Sequence, residues 1–191
     1  MYKRWLGPVF VAVLWTLTGA ASARADDYTV DPMHASVTFK ISHLDLSWVS
    51  GRFNELSGNF TIDPDDAGRC SFELTMKTAS IDTNNKKRDD HLRSPDFFNV
   101  KQFPTLTFKS TSVKAIKGGY EVTGDLTLHG VTKSATFSLE GGRKAEFPKG
   151  VQRTGFTTAR TIKRSDFGMD KFAGAVGDDV HIAISFEGTK K

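Results

Sequence analysis

Cys70-Ser71-Phe72-Glu73-Leu74-Thr75-Met76-Lys77 sets an apolar side chain at each even position and a polar one at each odd position. Side chains of a strand alternate between two faces, whereas those of a helix return every 3.6 residues, so this stretch reads as a half-buried β-strand. The same period runs through most of the chain. Val37, Phe39 and Ile41 alternate with Ser36, Thr38 and Lys40. Val49, Gly51 and Phe53 continue it, parity changes across Asn54-Glu55 as at a bulge, and Leu56, Gly58, Phe60 and Ile62 resume it. Leu106 with Phe108, Val122 with Leu126 and Leu128, Phe137 with Leu139, and Val180, Ile182, Ile184 and Phe186 complete the series.

Segments 35–43, 46–62, 69–78, 104–113, 119–129, 131–141, 151–163 and 179–187 thus give eight strands. Asp63-Pro64-Asp65-Asp66, Gly118-Gly119, His129-Gly130 and Gly141-Gly142 punctuate them, as antiparallel hairpins require. Eight antiparallel strands suffice to close an all-β barrel whose inside is packed or holds one small ligand. The one good helical stretch spans 86–99, a short helix at one end of the barrel, with Ser94-Pro95 resembling an N-cap and first helical residue.

Met1 to Arg4 is a basic start, Trp5 to Leu17 an uncharged apolar run, and Ala21-Ser22-Ala23-Arg24-Ala25 a small-residue cleavage pattern. Residues 1–25 therefore read as a signal peptide, and 26–191 as one exported domain. The run is shorter than a bilayer span of about 20 residues and contains Pro8, and no later segment is apolar enough to cross as a helix. Removing 25 of 191 residues leaves about 166, the size of one compact domain. Lys3, Arg4 and Arg24 leave with the signal, so 23 basic residues face 22 acidic ones. A formal charge of +1 removes the usual argument for nucleic acid binding. The single cysteine, Cys70, has no disulfide partner within the chain and shares the apolar parity of Phe72, which suits a buried, inert thiol.

Catalytic and metal motifs are missing. His34, His43, His91, His129 and His181 are scattered, without H-E-x-x-H or C-x-x-C, so no metal or cofactor is expected. G-x-S-x-G, the P-loop and G-x-G-x-x-G are absent too. Asn59-Phe60-Thr61 matches an N-glycosylation site but lies inside a strand and reads as coincidence.

What is present is a surplus of large apolar residues on one strand face, with Lys40, Glu73, Lys77, Lys109, Glu121, Asp125 and Glu187 on the other. A barrel so built encloses an elongated apolar interior suited to a lipid chain. The candidate lining is Phe39, Ile41, Phe53, Phe60, Phe72, Leu74, Phe108, Val122, Leu126, Phe137, Phe156, Ile182, Ile184 and Phe186, with Phe97 and Phe98 docking the helical stretch on the barrel mouth.

Longer segments add a resemblance. Tyr28-Thr-Val-Asp-Pro-Met-His34, Ser80-Ile-Asp-Thr-Asn84 running into Lys87 to Phe98, Phe103 to Thr111, Gly124 to Lys133 and Arg164-Ser-Asp-Phe-Gly-Met169 resemble the signature segments of the YceI family, in family order. Ala35 and Ser134 depart from the family pattern, where Ser and Pro are frequent, without touching the fold. The resemblance implies a periplasmic, lipocalin-like barrel that holds a polyisoprenoid, an isoprenoid quinone or a similar long-chain amphiphile as carrier or binding protein, without catalysis, and it sets Asp82 to Phe98 by the barrel opening, with Phe97 and Phe98 as candidates for a lid. A homodimer stays open. Two other readings compete: an enzyme acting on lipid through His91, Asp89 and Arg93, and an outer-membrane barrel, against which the absence of aromatic girdles speaks.

Overall fold

The computed structural model describes residues 25–191, so the expected signal peptide lies almost wholly outside the described residues. Ten strands form: β1 Asp26–His43, β2 Ser47–Phe53, β3 Leu56–Ile62, β4 Ser71–Lys77, β5 Ile81–Asp82, β6 Thr105–Ile116, β7 Gly119–Leu128, β8 Val131–Glu146, β9 Gln152–Lys163 and β10 Val176–Lys190. They make one sheet in the order β10-β9-β8-β7-β6-β4-β3-β1-β2-β5, which closes by pairing β10 with β1. All pairings between these strands are antiparallel. Since β2 and β3 follow one another along the same side of β1, and β5 is a two-residue addition, the closed wall is an eight-stranded antiparallel barrel.

Three local expectations are corrected. The first strand starts at Asp26 rather than residue 35, because Tyr28 and Val30 also alternate inward, their parity changing to that of Val37 across a bulge. Pro32 is tolerated because pairing with β10 skips from Val30 to Ala35, a bulge in which its missing N–H is not needed. The 46–62 segment is two strands rather than one bulged strand. Asn54 and Glu55 leave the barrel ladder, with the Asn54 N–H donating to the Ser80 carbonyl at 3.2 Å. The helix, α1, spans only Lys86–Leu92, capped by the Asn85 side chain accepting from the Arg88 N–H at 3.0 Å. Ser94 is not its N-cap. The residue before a proline is driven from helical geometry, and Ser94-Pro95 stops the helix instead.

The eight-fold alternation gives the barrel an apolar inside and a polar outside, with Lys40, Glu73, Lys77, Lys109 and Asp125 exposed. That is the reverse of a barrel facing lipid. Among the described residues no helix is long and apolar enough to cross a membrane. The hairpin between β7 and β8 uses His129 and Gly130, both at positive φ (53° and 76°), as a type I′ turn needs. At one end of the barrel Tyr28, Phe60, Phe72, Phe156 and Phe186 form an aromatic floor in which no ring is more than 2 % exposed. At the other end α1, the turns that follow it and the segment between β9 and β10 form the mouth.

Candidate functional site

Above the floor the inward side chains do not meet. The inner half of the interior leaves a cavity of about 80 Å³, bordered by Phe72, Leu74, Phe108, Val122, Leu126, Phe137, Ile184 and Phe186. The outer half leaves about 110 Å³ and is bordered by Phe39, Ile41, Phe53, Phe97 and Phe98. Ile182 borders both, as do Val37, Met76, Leu106 and Ile162, so the two halves form one narrow tunnel. Only apolar atoms face the space in either half.

Of the residues named from sequence, Phe60 and Phe156 fall elsewhere. They sit in the floor, 1 % and 2 % exposed, packed on other rings rather than along the tunnel. The waist residues Val37, Met76, Leu106 and Ile162 were not among the candidates although Val37 shares the parity of Phe39, and Met76 that of Leu74. Parity marks them as inward, but parity alone does not set an aliphatic residue at the waist apart from one in a packed core.

Two polar residues border the tunnel unannounced. Thr158 faces inward with the parity of Phe156. Arg164 is 5 % exposed, and only its aliphatic part meets the outer half. Its guanidinium turns away, donating to the carbonyls of Gly177 at 2.8 Å, Lys171 at 2.9 Å and Val176 at 2.9 Å, and to that of Met169. A buried charge without a carboxylate partner is tolerated when its donors are met by backbone dipoles, and here they fold the β9–β10 segment over the mouth.

The mouth is a recess of about 300 Å³ where polar groups first appear: Ser42, His43, Thr83, Arg88 and His91 stand beside Phe39, Leu92, Phe97 and Phe172. Gly51 makes room for two of these residues, Phe39 and Thr83. A Cβ there would lie 2.5 Å from Phe39 Cζ and 2.7 Å from Thr83 Cγ2, so only glycine lets the Phe39 ring lie flat against β2. Phe98 meets Phe53 edge to face at 5.5 Å, while Phe97 stacks on Phe172 at 5.9 Å. Thus Phe98 plugs inward and Phe97 caps the rim.

The three polar residues that an enzyme reading would group do not converge. The backbone N–H of Thr83 donates to Asp89 Oδ1 at 2.9 Å, which fixes α1 to the preceding turn. His91 Nε2 lies 3.0 Å from Asp96 Oδ2, and this hydrogen bond is the largest influence holding the Asp96 carboxyl below its ordinary pKa. Arg93 donates to the carbonyls of Ala79 and Ile81, at 2.8 and 2.6 Å. Each side chain anchors a different turn. Among the described residues no group of three or more His, Cys, Asp or Glu side chains is gathered for a metal ion.

Comparison with known proteins fits this geometry. A family model described as a YceI-like domain matches residues 28–188. A UPF0312 protein of Pseudomonas aeruginosa is 41 % identical over 174 residues, covering 90 % of this chain and 91 % of that one. Protein YceI of Escherichia coli is 39 % identical over 193 residues, covering 100 % of both. Among solved structures, Burkholderia cenocepacia BcnA superposes with a TM-score of 0.72 at 26 % identity, over 83 % of this chain and 98 % of that one. The Campylobacter jejuni YceI protein gives 0.67 at 33 % identity, over 80 % and 91 %. A polyisoprenoid binding domain from Saccharophagus degradans gives 0.63 at 18 % identity, over 86 % and 98 %, a likeness of fold. By the match across its whole barrel, and by relatives near 40 % identity along the full chain, this protein belongs to the YceI-like family.

Proposed function

We propose that the protein is an exported binding or carrier protein for a long-chain amphiphile, a polyisoprenoid or isoprenoid quinone, whose chain lies in the tunnel while its polar end stays at the mouth. The observation that carries this reading is that two joined cavities, of about 80 and 110 Å³, present only apolar atoms. Hydrocarbon gains most from a space with no polar group to desolvate. The polar end finds Ser42, His43, Arg88 and His91 at the recess, where its hydrogen bonds can be kept. The likeness to a domain described as polyisoprenoid binding supports the ligand class. Holding a lipid needs no catalytic group, and the separate anchoring of Asp89, His91 and Arg93 favours binding over turnover. Residues 1–25 supply the export signal in this reading, and 26–191 the periplasmic domain.

The test is mass spectrometry of the organic extract from protein purified natively without detergent. A stoichiometric isoprenoid is the expected result. Protein that carries no lipid and takes up none from vesicles would overturn the reading.

A further inference from the structure

The barrel wall has a seam. Pairing of β8 with β9 runs from Glu146–Gln152 up to Glu140–Thr157 and stops there. Above that point β8 from Val131 to Leu139 stays paired with β7 alone, and β9 from Thr158 to Lys163 with β10 alone. Two strand edges therefore face each other without a ladder. Side chains bridge the gap: Arg160 Nη1 donates to the Thr136 carbonyl, Lys133 Nζ to Asp166 Oδ1 at 2.9 Å, and His129 Nδ1 lies 3.2 Å from the Phe167 carbonyl. Extending the β8–β9 register sets Phe137 opposite Arg160, and the guanidinium does lie over that ring, 5.4 Å from its centroid.

The seam is also where polar groups go unsatisfied. Six buried side-chain polar atoms lack a hydrogen-bond partner among the described residues, and three of them, His129 Nε2, Thr158 Oγ1 and Arg160 Nε, lie along it. Buried polar groups are ordinarily paired, so this stretch of wall is held less completely than a laddered one. The inner half of the tunnel reaches both sides of the gap, bordered by Phe137 and Leu139 on β8 and by Thr158 and Ile162 on β9.

We propose that this seam is a lateral portal through which the lipid chain passes into the tunnel, with Arg160 as its strap. Here the wall parts without breaking a strand ladder, by release of Arg160 from the Thr136 carbonyl together with the Lys133–Asp166 and His129–Phe167 bridges. An acceptor oxygen on the polar end of the lipid then replaces that carbonyl, so the guanidinium is not left bare. Phe137 and the aliphatic stem of Arg160 form an apolar sill. This rests on the lipid-binding reading and adds the route, which the axial mouth does not require.

The test uses cis-parinaric acid, a fluorescent polyene lipid, and its release from loaded protein into phosphatidylcholine vesicles. Ser134→Cys and Thr161→Cys, both exposed and on opposite sides of the seam, are joined by a short bismaleimide. Lys109→Cys and Asp125→Cys, directly paired on β6 and β7, receive the same bridge as a control. Bridging the seam is expected to slow release about tenfold while leaving the saturating load unchanged, since gating acts on rates rather than capacity. The control bridge leaves release unchanged, and Arg160→Gln accelerates it. Release at the unbridged rate from the seam-locked protein, or equal slowing by the control, would overturn the portal. No saturable uptake by the wild type would overturn the lipid reading itself, and the portal with it.

Discussion

Phe60 and Phe156 meet edge to face, their ring centroids 5.7 Å apart and their planes at 82°. That contact marks where the interior changes from cavity to solid. On one side Tyr28 stacks on Phe60 at 5.1 Å, and on the other Phe72 and Phe186, each packed on both rings, border open space. Floor and tunnel are built from the same residue types but respond differently to truncation.

Phe156→Ala should cost about 3–5 kcal/mol, the range for a large ring removed from a packed core. Phe97→Ala, at the half-buried rim, should cost far less while weakening lipid retention. Urea unfolding of both, with lipid content measured on the same samples, checks this. Equal destabilisation by the two would contradict the division between floor and rim.

Arg153 Nη1 lies 2.6 Å from Asp31 Oδ2 and joins β9 to the bulge of β1. The guanidinium first, and His34 next, draw the Asp31 carboxyl down to about 2 from an ordinary 3.8. A depressed carboxylate pKa favours folding when ionised, so this contribution is present above about pH 4 and is lost as pH falls towards 2. Asp31→Asn should be less stable than the wild type by about 1–2 kcal/mol near neutral pH, allowing for partial exposure, with the gap closing near pH 2. Urea midpoints across that range decide it, and a gap that widens in acid would be the wrong sign.

Cys70 is buried, with its Sγ 3.3 Å from the Asp63 N–H, and burial pushes its thiol above the ordinary pKa. A thiol that stays protonated and covered reacts only when the chain opens. Labelling by a disulfide reagent should therefore be slow in buffer and complete in denaturant. Rapid stoichiometric labelling of the native protein would contradict its placement.

Much of the barrel is legible because alternation is local. Each strand announces its inward face within a few residues, as Cys70 to Lys77 does, and the hairpins announce their turns. What alternation cannot report is position along the barrel axis. Phe60 and Phe72 share a stack yet only Phe72 reaches the tunnel, because depth depends on register between strands distant in sequence. The seam is hidden for the same reason. Thr158, Arg160 and Ile162 show their parity, but nothing in β9 records that β8 has left its side. Arg164 escaped notice because a charged residue on an inward parity reads as the end of a strand, whereas its fixed guanidinium holds four carbonyls of the mouth segment. The helix start at residue 86 is legible but its end is not, since Ser94-Pro95 resembles a cap as much as a stop, and only the fold selects between them.

The central claim, that the interior is a ligand tunnel rather than a core, is tested most directly at Ile184. This residue pairs with Val37 on β1 and Thr158 on β9, and all three border the inner half of the tunnel. Ile184→Glu places a carboxylate in that space, where a packed core would offer it neither water nor a partner charge. An occupied tunnel can admit water around it once the lipid has gone. The measurement is lipid content and thermal unfolding on one preparation of Ile184→Glu, alongside the wild type. The account predicts a cooperative transition with little copurified lipid, while complete unfolding, or a folded protein carrying its full load of lipid, would contradict it.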